Sequence, residues 1–278
     1  MNWTQGIQNA INYIEDNITE ELDYKKIAEQ AACSSYYFQK IFSVLCDMPL
    51  GEYIRSRRLA LAGNELLATD AKVIDIAVKY GYSSSESFSR AFALFHGVTP
   101  SEARQGISTL RSFSRLMVQV SLKGGKNTNY RIIEKQAFKV IEKAEVHKLT
   151  ENDCISATIP QFWARANSDG TIDKLVSLAK DCEFVFGICY GNGKADYDED
   201  TFEYSIAVAC GDDITVPEGY RIREIPARTW LAVECKGSCP DSVQEQWKEM
   251  CANFFPVSGY SPTYEMDIEA SPAGDPAS

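Results

Sequence analysis

The feature that most constrains this chain is a stretch that occurs twice. "IAEQAACSSYYFQKIFSVLCDMP" starts at Ile27, and "IAVKYGYSSSESFSRAFALFHGVTP" starts at Ile76. Both open on Ile-Ala and carry a serine pair soon after. Phe38, Lys40 and Phe42 fall against Phe88, Arg90 and Phe92, and Pro49 falls against Pro100. A helix with a central Ala, a short turn, and a second helix opening on polar residues is the pattern of a helix-turn-helix. One copy says little, because any pair of antiparallel helices resembles it. Two copies joined by the long helical pattern "EYIRSRRLALAGNELL" call for one compact helical domain.

The rest of the first half agrees. Trp3, Ile7, Ala10, Ile11 and Ile14 keep the spacing of an amphipathic helix. Tyr37, Phe38, Ile41, Phe42 and Leu45 share one side of another. Pro49 sits where the long helix should open, and Gly81 and Gly97 stand where helices should stop. From about Phe113 the grammar changes. "NYRIIEKQAFKVIEKAEV", "EFVFGICYG", "FEYSIAVACGD" and "YRIREIPARTWLAVECKG" read as strands, with an acidic loop "NGKADYDED" between the second and third. "IPQFWARANSDGTIDKLVSLAKD" and "PDSVQEQWKEMCANFFP" read as helices, the latter with Asp241 or Ser242 as its cap. The order strand, helix, strand, strand occurs twice, and the second copy ends at "SPAGDPAS" before a last strand, as in a truncated or shortened chain. The expected architecture is multidomain. Residues 1–108 form an all-α domain with two helix-turn-helix motifs, and 109–128 form a linker and connecting strand. Residues 129–278 form an α+β domain of two strand-helix-strand-strand repeats.

Composition narrows the functions. Net charge is −11, against a general nucleic-acid coat, yet residues 25–110 hold 10 Lys+Arg against 8 Asp+Glu, a local net of +2. Nine cysteines without a C-x-x-C, and only two histidines, argue against a zinc site and for reduced thiols in a cytoplasm. No apolar run of about 18 residues would span a membrane, and the N-terminus has no signal-peptide pattern. No P-loop, G-x-G-x-x-G or Ser-His-Asp order is present, so neither a cofactor nor a metal is expected, and histidine base chemistry is not expected either.

Residues 9–106, through "IAVKYGYSSSESFSRAFALFHGVTPSEAR", "GEYIRSRRLALAGNELL" and "SSYYFQKIFS", resemble the DNA-binding domain of the AraC/XylS family of transcription regulators. From about Leu116 onward, "YRIIEKQAFKVI", "IPQFWA", "FEYSIAVACGD" and "QEQWKEMCANFFP" are similar to a GyrI-like, or Rob-type, effector-binding domain. The resemblance implies a cytoplasmic, ligand-responsive regulator of promoter DNA. Its partners would be double-stranded DNA, a small-molecule effector and RNA polymerase, with no membrane. The chain would act as a monomer or weak homodimer.

A recognition helix enters the major groove by its first turn, where small polar residues and unpaired amides suit phosphate. Ser34 or Ser35 should cap the first such helix. The resemblance then puts Tyr36, Gln39 and Lys40 on the groove face, with Gln39 suited to adenine and Lys40 to guanine or a phosphate. The matching set in the second motif is Ser84, Ser85, Glu86 and Arg90. Arg90 is expected to read guanine or to clamp a phosphate. Glu86 either accepts from cytosine or closes a capping box with Ser83. Arg55, Arg57 and Arg58 lie on the linking helix, either as a solvated face or in reach of phosphates.

In the second half, a cleft lined by aromatics with one carboxylate would suit an amphipathic or cationic organic effector. The candidates are Trp163, Tyr190, Tyr204, Trp230 and Glu234, each of the aromatics also a fair core residue. Within "FEYSIAVA", Glu203 and Tyr204 face opposite sides of a strand, and the resemblance favours Tyr204. The competing reading is a small-molecule-binding or hydrolytic protein whose helical half only aids assembly.

Overall fold

A computed structural model describes residues 3–106, 109–118, 129–148, 158–179, 182–190, 201–263 and 265–273. The chain forms two compact units, 1–120 and 121–278. The expected acidic loop, 191–200, and most of the expected connecting strand, 119–128, lie outside the described residues.

The first unit is helical: α1 Trp3–Asp16, α2 Tyr24–Gln30, α3 Ser35–Cys46, α4 Leu50–Ala68, α5 Val73–Lys79, α6 Ser85–His96 and α7 Pro100–Arg104. Helix α1 buries Ile7, Ala10, Ile11 and Ile14, the stripe that its sequence spacing sets up. The two helix-turn-helix pairs are α2–α3 and α5–α6. Their repeated aromatics do the same packing job: Phe38 and Phe42 in one, Phe88 and Phe92 in the other, all fully buried. Each such ring contributes about 1.5–3 kcal/mol of burial. Around the second pair the core is Leu59, Ala62, Leu66, Ile76, Ala77, Phe88, Phe92 and Ala103.

Gly63 stands in the middle of α4, where glycine costs about 1 kcal/mol relative to alanine. A Cβ there would lie 2.9 Å from His96 Nε2 and 3.0 Å from Leu110 Cδ1. The missing side chain therefore admits both neighbours. Residues 109–118 form no strand and lie along the helices, with Phe113 between Tyr53 and Phe95.

The second unit contains β1 Tyr130–Lys135, β2 Phe138–Lys148, α8 Thr158–Ser168, α9 Thr171–Leu178, β3 Phe184–Tyr190, β4 Thr201–Cys210, β5 Arg221–Ile225, β6 Arg228–Val233, α10 Asp241–Glu249, a π-helical turn Met250–Phe254, α11 Phe255–Ser258 and β7 Met266–Pro272. Neither Asp241 nor Ser242 caps α10. Pro240 occupies that position with no side-chain hydrogen bond, because the helix starts at Asp241, one residue earlier than an Asp241 cap would require and two earlier than a Ser242 cap would.

A five-stranded antiparallel sheet runs β5-β2-β4-β3-β7, beside a two-stranded sheet β1-β6. Each repeat's first strand is thus split in two. The breaks fall at Gln136-Ala137 and Pro226-Ala227, and Pro226 offers no amide to the ladder. Pairing keeps one register across the break, from Tyr130↔Val233 through Lys135↔Arg228 to Phe138↔Ile225 and Glu142↔Arg221. The two split strands also share sequence: Tyr130-Arg131-Ile132 and Tyr220-Arg221-Ile222 are identical, with Glu134/Glu224 and Ala137/Ala227 in step. The second repeat has β7 after its helix, and a counterpart of β4 is not among the described residues.

Candidate nucleic-acid interface and ligand site

Ser34 is the N-cap of α3, accepting from the Tyr37 amide at 3.3 Å. Ser84 is the N-cap of α6, accepting from the Ser87 amide at 3.1 Å. The expected capping box of Ser83 with Glu86 does not form, since the cap lies one residue later and Glu86 becomes the second residue of the helix. There its own amide, with the Ser84 and Ser85 hydroxyls, holds its carboxyl below the ordinary range. The capping box of this region belongs to α7, where Thr99 and Glu102 exchange both bonds.

The two motifs differ in what they expose. On α6, Glu86 and Arg90 are exposed and Ser85 is half-buried. On α3, Gln39 is half-buried and donates to Ser35 Oγ at 3.1 Å. Tyr36 and Lys40, expected on an open groove face, are buried at 6% and 9% exposure. The Lys40 ammonium lies 5.9 Å from the ring centres of both Tyr36 and Tyr37, a cation–π arrangement that the sequence spacing does not reveal.

Of the three α4 arginines, only Arg55 is exposed. Arg57 makes a two-pronged pair with Glu15, at 2.8 and 2.7 Å. Arg58 donates to the Ile18 and Glu20 carbonyls. Both guanidiniums are thus engaged within the domain.

In the second unit the sheet separates the expected ligand residues. Directly paired residues share a face. Tyr204, Cys189 and Asp267 align across β4, β3 and β7, as do Ile206, Gly187 and Glu269. Trp163 on α8 meets this face. Its Nε1 donates to Tyr204 Oη at 2.9 Å, and the Tyr204 hydroxyl lies 3.4 Å from Glu269 Oε2. Gly187 makes this possible, because a Cβ there would sit 2.0 Å from Tyr204 Oη. His147 borders the group, edge-on to Tyr204 and stacked on Phe202. Burial drives the Tyr204 hydroxyl well above its ordinary value, and the nearby Glu269 charge adds to that, so it stays protonated. Trp163 and Glu269 are half-buried, so the cluster reaches solvent at both.

Tyr190, Trp230 and Glu234 are not in this cluster. Tyr190 lies on the other face, in a core with Val140, Phe186, Ile188, Ala207 and Ile225 on which Trp230 packs. Glu234 is exposed beside Lys236, 3.4 Å away. It follows the last residue of β6 and so escapes the sheet's pleat.

The other face carries a polar network absent from the sequence reading. Glu142, fully buried, accepts from Tyr190 Oη at 2.6 Å, Ser205 Oγ at 2.7 Å, Arg221 Nε at 2.7 Å and Arg223 Nε at 2.9 Å. Glu203 takes the other ends of both arginines. The Arg223 guanidinium also lies 3.9 Å from the Tyr190 ring centre. Two carboxylates against two guanidiniums leave the group neutral, as burial of charge demands. Glu269 and Glu142 were both missed for one reason. Each lies on a strand whose alternation is visible, but which carboxylate meets which aromatic depends on pairing register.

Tandem helix-turn-helix motifs with an exposed arginine on one recognition helix, followed by a sheet domain presenting an aromatic–carboxylate cluster, define a two-part, ligand-responsive DNA-binding regulator. Residues 27–106 match a family described as a helix-turn-helix domain, and 131–276 match the integron-associated effector binding protein family. The chain belongs to the AraC-type transcription regulators and carries an effector-binding domain of that integron-associated family.

Relatives include the HTH-type transcriptional activator AarP of Providencia stuartii, 40% identical over 34% of this chain and 70% of its own length. The regulatory protein SoxS of Salmonella typhimurium is 39% identical over 37% of this chain and 97% of its own. A structure of SAV2435 bound to tetraphenylphosphonium covers 53% of this chain and 85% of that one, at 18% identity and a TM-score of 0.44. No helix among the described residues is long and apolar enough to cross a membrane.

Proposed function

We propose that this regulator is controlled by an amphipathic organic cation held at Trp163, Tyr204 and Glu269. The observation that carries the reading is the Tyr204 hydroxyl placed between Trp163 Nε1 and the Glu269 carboxylate over Gly187. The half-buried Trp163 indole beside the half-buried Glu269 carboxylate, fixed by the buried Tyr204 hydroxyl, favours a flat or branched cation over an anion. On the DNA side, Arg90 and Glu86 read base edges from α6, with Ser85 at the same turn. Gln39 contributes from α3, and the capped amides after Ser34 and Ser84 approach phosphates.

Because one chain carries two motifs, a monomer or weak homodimer suffices to bind an operator; it acts in the cytoplasm, with RNA polymerase as a partner at the promoter. A recognition role suits Tyr204 better than a catalytic one, since a hydroxyl kept protonated by burial donates hydrogen bonds and does not act as a base.

The test is tryptophan-fluorescence titration of the full chain with tetraphenylphosphonium and with neutral triphenylphosphine oxide. The cation should bind at least about tenfold more tightly, and Glu269→Gln should remove most of that preference. Equal binding of both compounds, or an unchanged preference in Glu269→Gln, refutes the cation reading. Release of products from activated esters by the full chain would turn the assignment toward hydrolysis.

A further inference from the structure

The segment leaving the helical unit is gripped by its backbone. The Arg111 amide donates to His96 Nδ1 at 3.1 Å, and the Phe113 carbonyl accepts from the Arg57 guanidinium. The Leu116 amide donates to Tyr53 Oη at 3.3 Å, and the Val118 amide to Gln8 Oε1 at 2.8 Å. Arg115 adds a bond to Asn12 Oδ1 at 2.5 Å. The apolar anchors are Leu110, packed on the second motif's core above Gly63, and Phe113, between Tyr53 and Phe95.

The partners come from α6 of the second motif, from the linking helix α4 and from α1, and the first motif is reached through Tyr53, whose ring packs on Phe42 of α3. His96 and Phe95 belong to α6. Tyr53 and Arg57, on α4, pack against Phe42 of α3 and pair with Glu15 of α1. Glu15 and Arg57 are almost wholly buried, at 7% and 11% side-chain exposure, so this pair is a fixed point. His96 Nε2 donates to the Leu59 carbonyl at 3.0 Å, which leaves Nδ1 as an acceptor for the Arg111 amide. A segment held through its own amides and carbonyls stays in register, and the α6, α4 and α1 side chains that grip it, with α3 packed on Tyr53 of α4, cannot shift independently.

We propose that residues 109–118 act as a staple that fixes recognition helices α3 and α6 relative to each other, and so sets the half-site spacing this protein accepts on DNA. It rests on the DNA-reading function above.

The experiment starts from duplexes selected out of a random pool by the wild-type chain. Affinities are compared for the selected site, for versions with one to three base pairs inserted between its halves, and for a duplex holding only the α6 half-site. Wild type should lose about tenfold or more on insertion. Phe113→Ala and Leu116→Pro, which remove a ring anchor and one backbone donor at the surface, should bring that ratio to within about threefold. Their affinity for the single half-site should stay within about twofold of wild type. Variants that keep the wild-type spacing ratio overturn the proposal.

Hydrogen exchange on the DNA-bound wild-type chain is independent of any variant's folding. The amides of Arg111, Leu116 and Val118 should be slowed at least about a hundredfold relative to unstructured chain. Exchange at unstructured rates overturns the staple even if every variant misfolds. A pool yielding no preferred sequence would instead count against the DNA reading.

Discussion

Gly187→Ala is the sharpest single perturbation of the ligand cluster. The new methyl would lie 2.0 Å from Tyr204 Oη, 3.0 Å from Tyr204 Cζ and 3.2 Å from Trp163 Cζ2. Tyr204 is 2% exposed on a central strand, so its ring has little room to swing. Displacing the phenol breaks its bond from Trp163 and leaves a buried hydroxyl short of a partner, about 1–3 kcal/mol. Overpacking adds about 1–3 kcal/mol. Replacing a strand glycine returns about 0.5–1 kcal/mol. The net is a loss of about 1–5 kcal/mol, centred near 3 kcal/mol, which for a unit of this size lowers Tm by roughly 6–12 °C. Thermal and urea unfolding of the full chain, followed by near-ultraviolet circular dichroism, would measure it.

The mechanism itself is tested by a cycle with Tyr204→Phe. Removing the phenol oxygen removes the closest contact, so Gly187→Ala should cost at least about 1 kcal/mol less in the Tyr204→Phe background. Additivity within about 0.5 kcal/mol would show that the methyl is accommodated elsewhere and that Gly187 does not seat Tyr204.

Three further outcomes are expected. Arg90→Ala should weaken operator binding by about 1–3 kcal/mol and relax preference at one base pair, read by gel shift against sites varied singly; uniform weakening with no change of preference would make Arg90 a phosphate clamp. Burial pushes the Glu15 carboxyl up, but bonds from Arg57 and Tyr53 outweigh it and leave it below its ordinary value. Its contribution is therefore present above about pH 4.5 and is lost as pH falls through the lower folded value; urea midpoints from pH 7 to 3 should show a steeper acid fall in wild type than in Glu15→Gln, and parallel curves would contradict the assignment. Glu142→Ala strips a buried carboxylate from Tyr190, Ser205 and two arginines; with Arg221 partly screened by solvent, a loss of about 2–4 kcal/mol in urea unfolding is expected, and a loss under about 1 kcal/mol would mean that the network relaxes into water.

The helical half was legible because its signals are local. Repeat spacing, the glycine stops and the serine caps act within a few residues of one another, and only the identity of a cap slipped, from Ser83 to Ser84. Tyr36 and Lys40 were misjudged because helical spacing gives an angle around an axis but not what covers that angle. In the sheet half, strand and helix types were readable, while the site was not. Glu269 reaches Tyr204 only because β7 pairs with β3 in one register, and Glu142 reaches Arg221 only because two strands break and continue together. Glu234, a chemically suitable carboxylate, sits just beyond the end of a strand. Residue chemistry indicates what a cation site would need, while long-range pairing decides which residues lie together.

The seam between β3 and β7 joins the two repeats of the effector domain, and the ligand cluster straddles it. Trp163, Gly187 and Tyr204 come from the first repeat, and Glu269, directly opposite Gly187, comes from the second. The aromatic members of the cluster thus lie in one repeat and its carboxylate in the other. Neither copy alone could hold a cation in this way. An effector bound at the proposed site would therefore brace the two repeats against each other across the β3–β7 ladder, and its affinity would depend on how firmly that ladder holds.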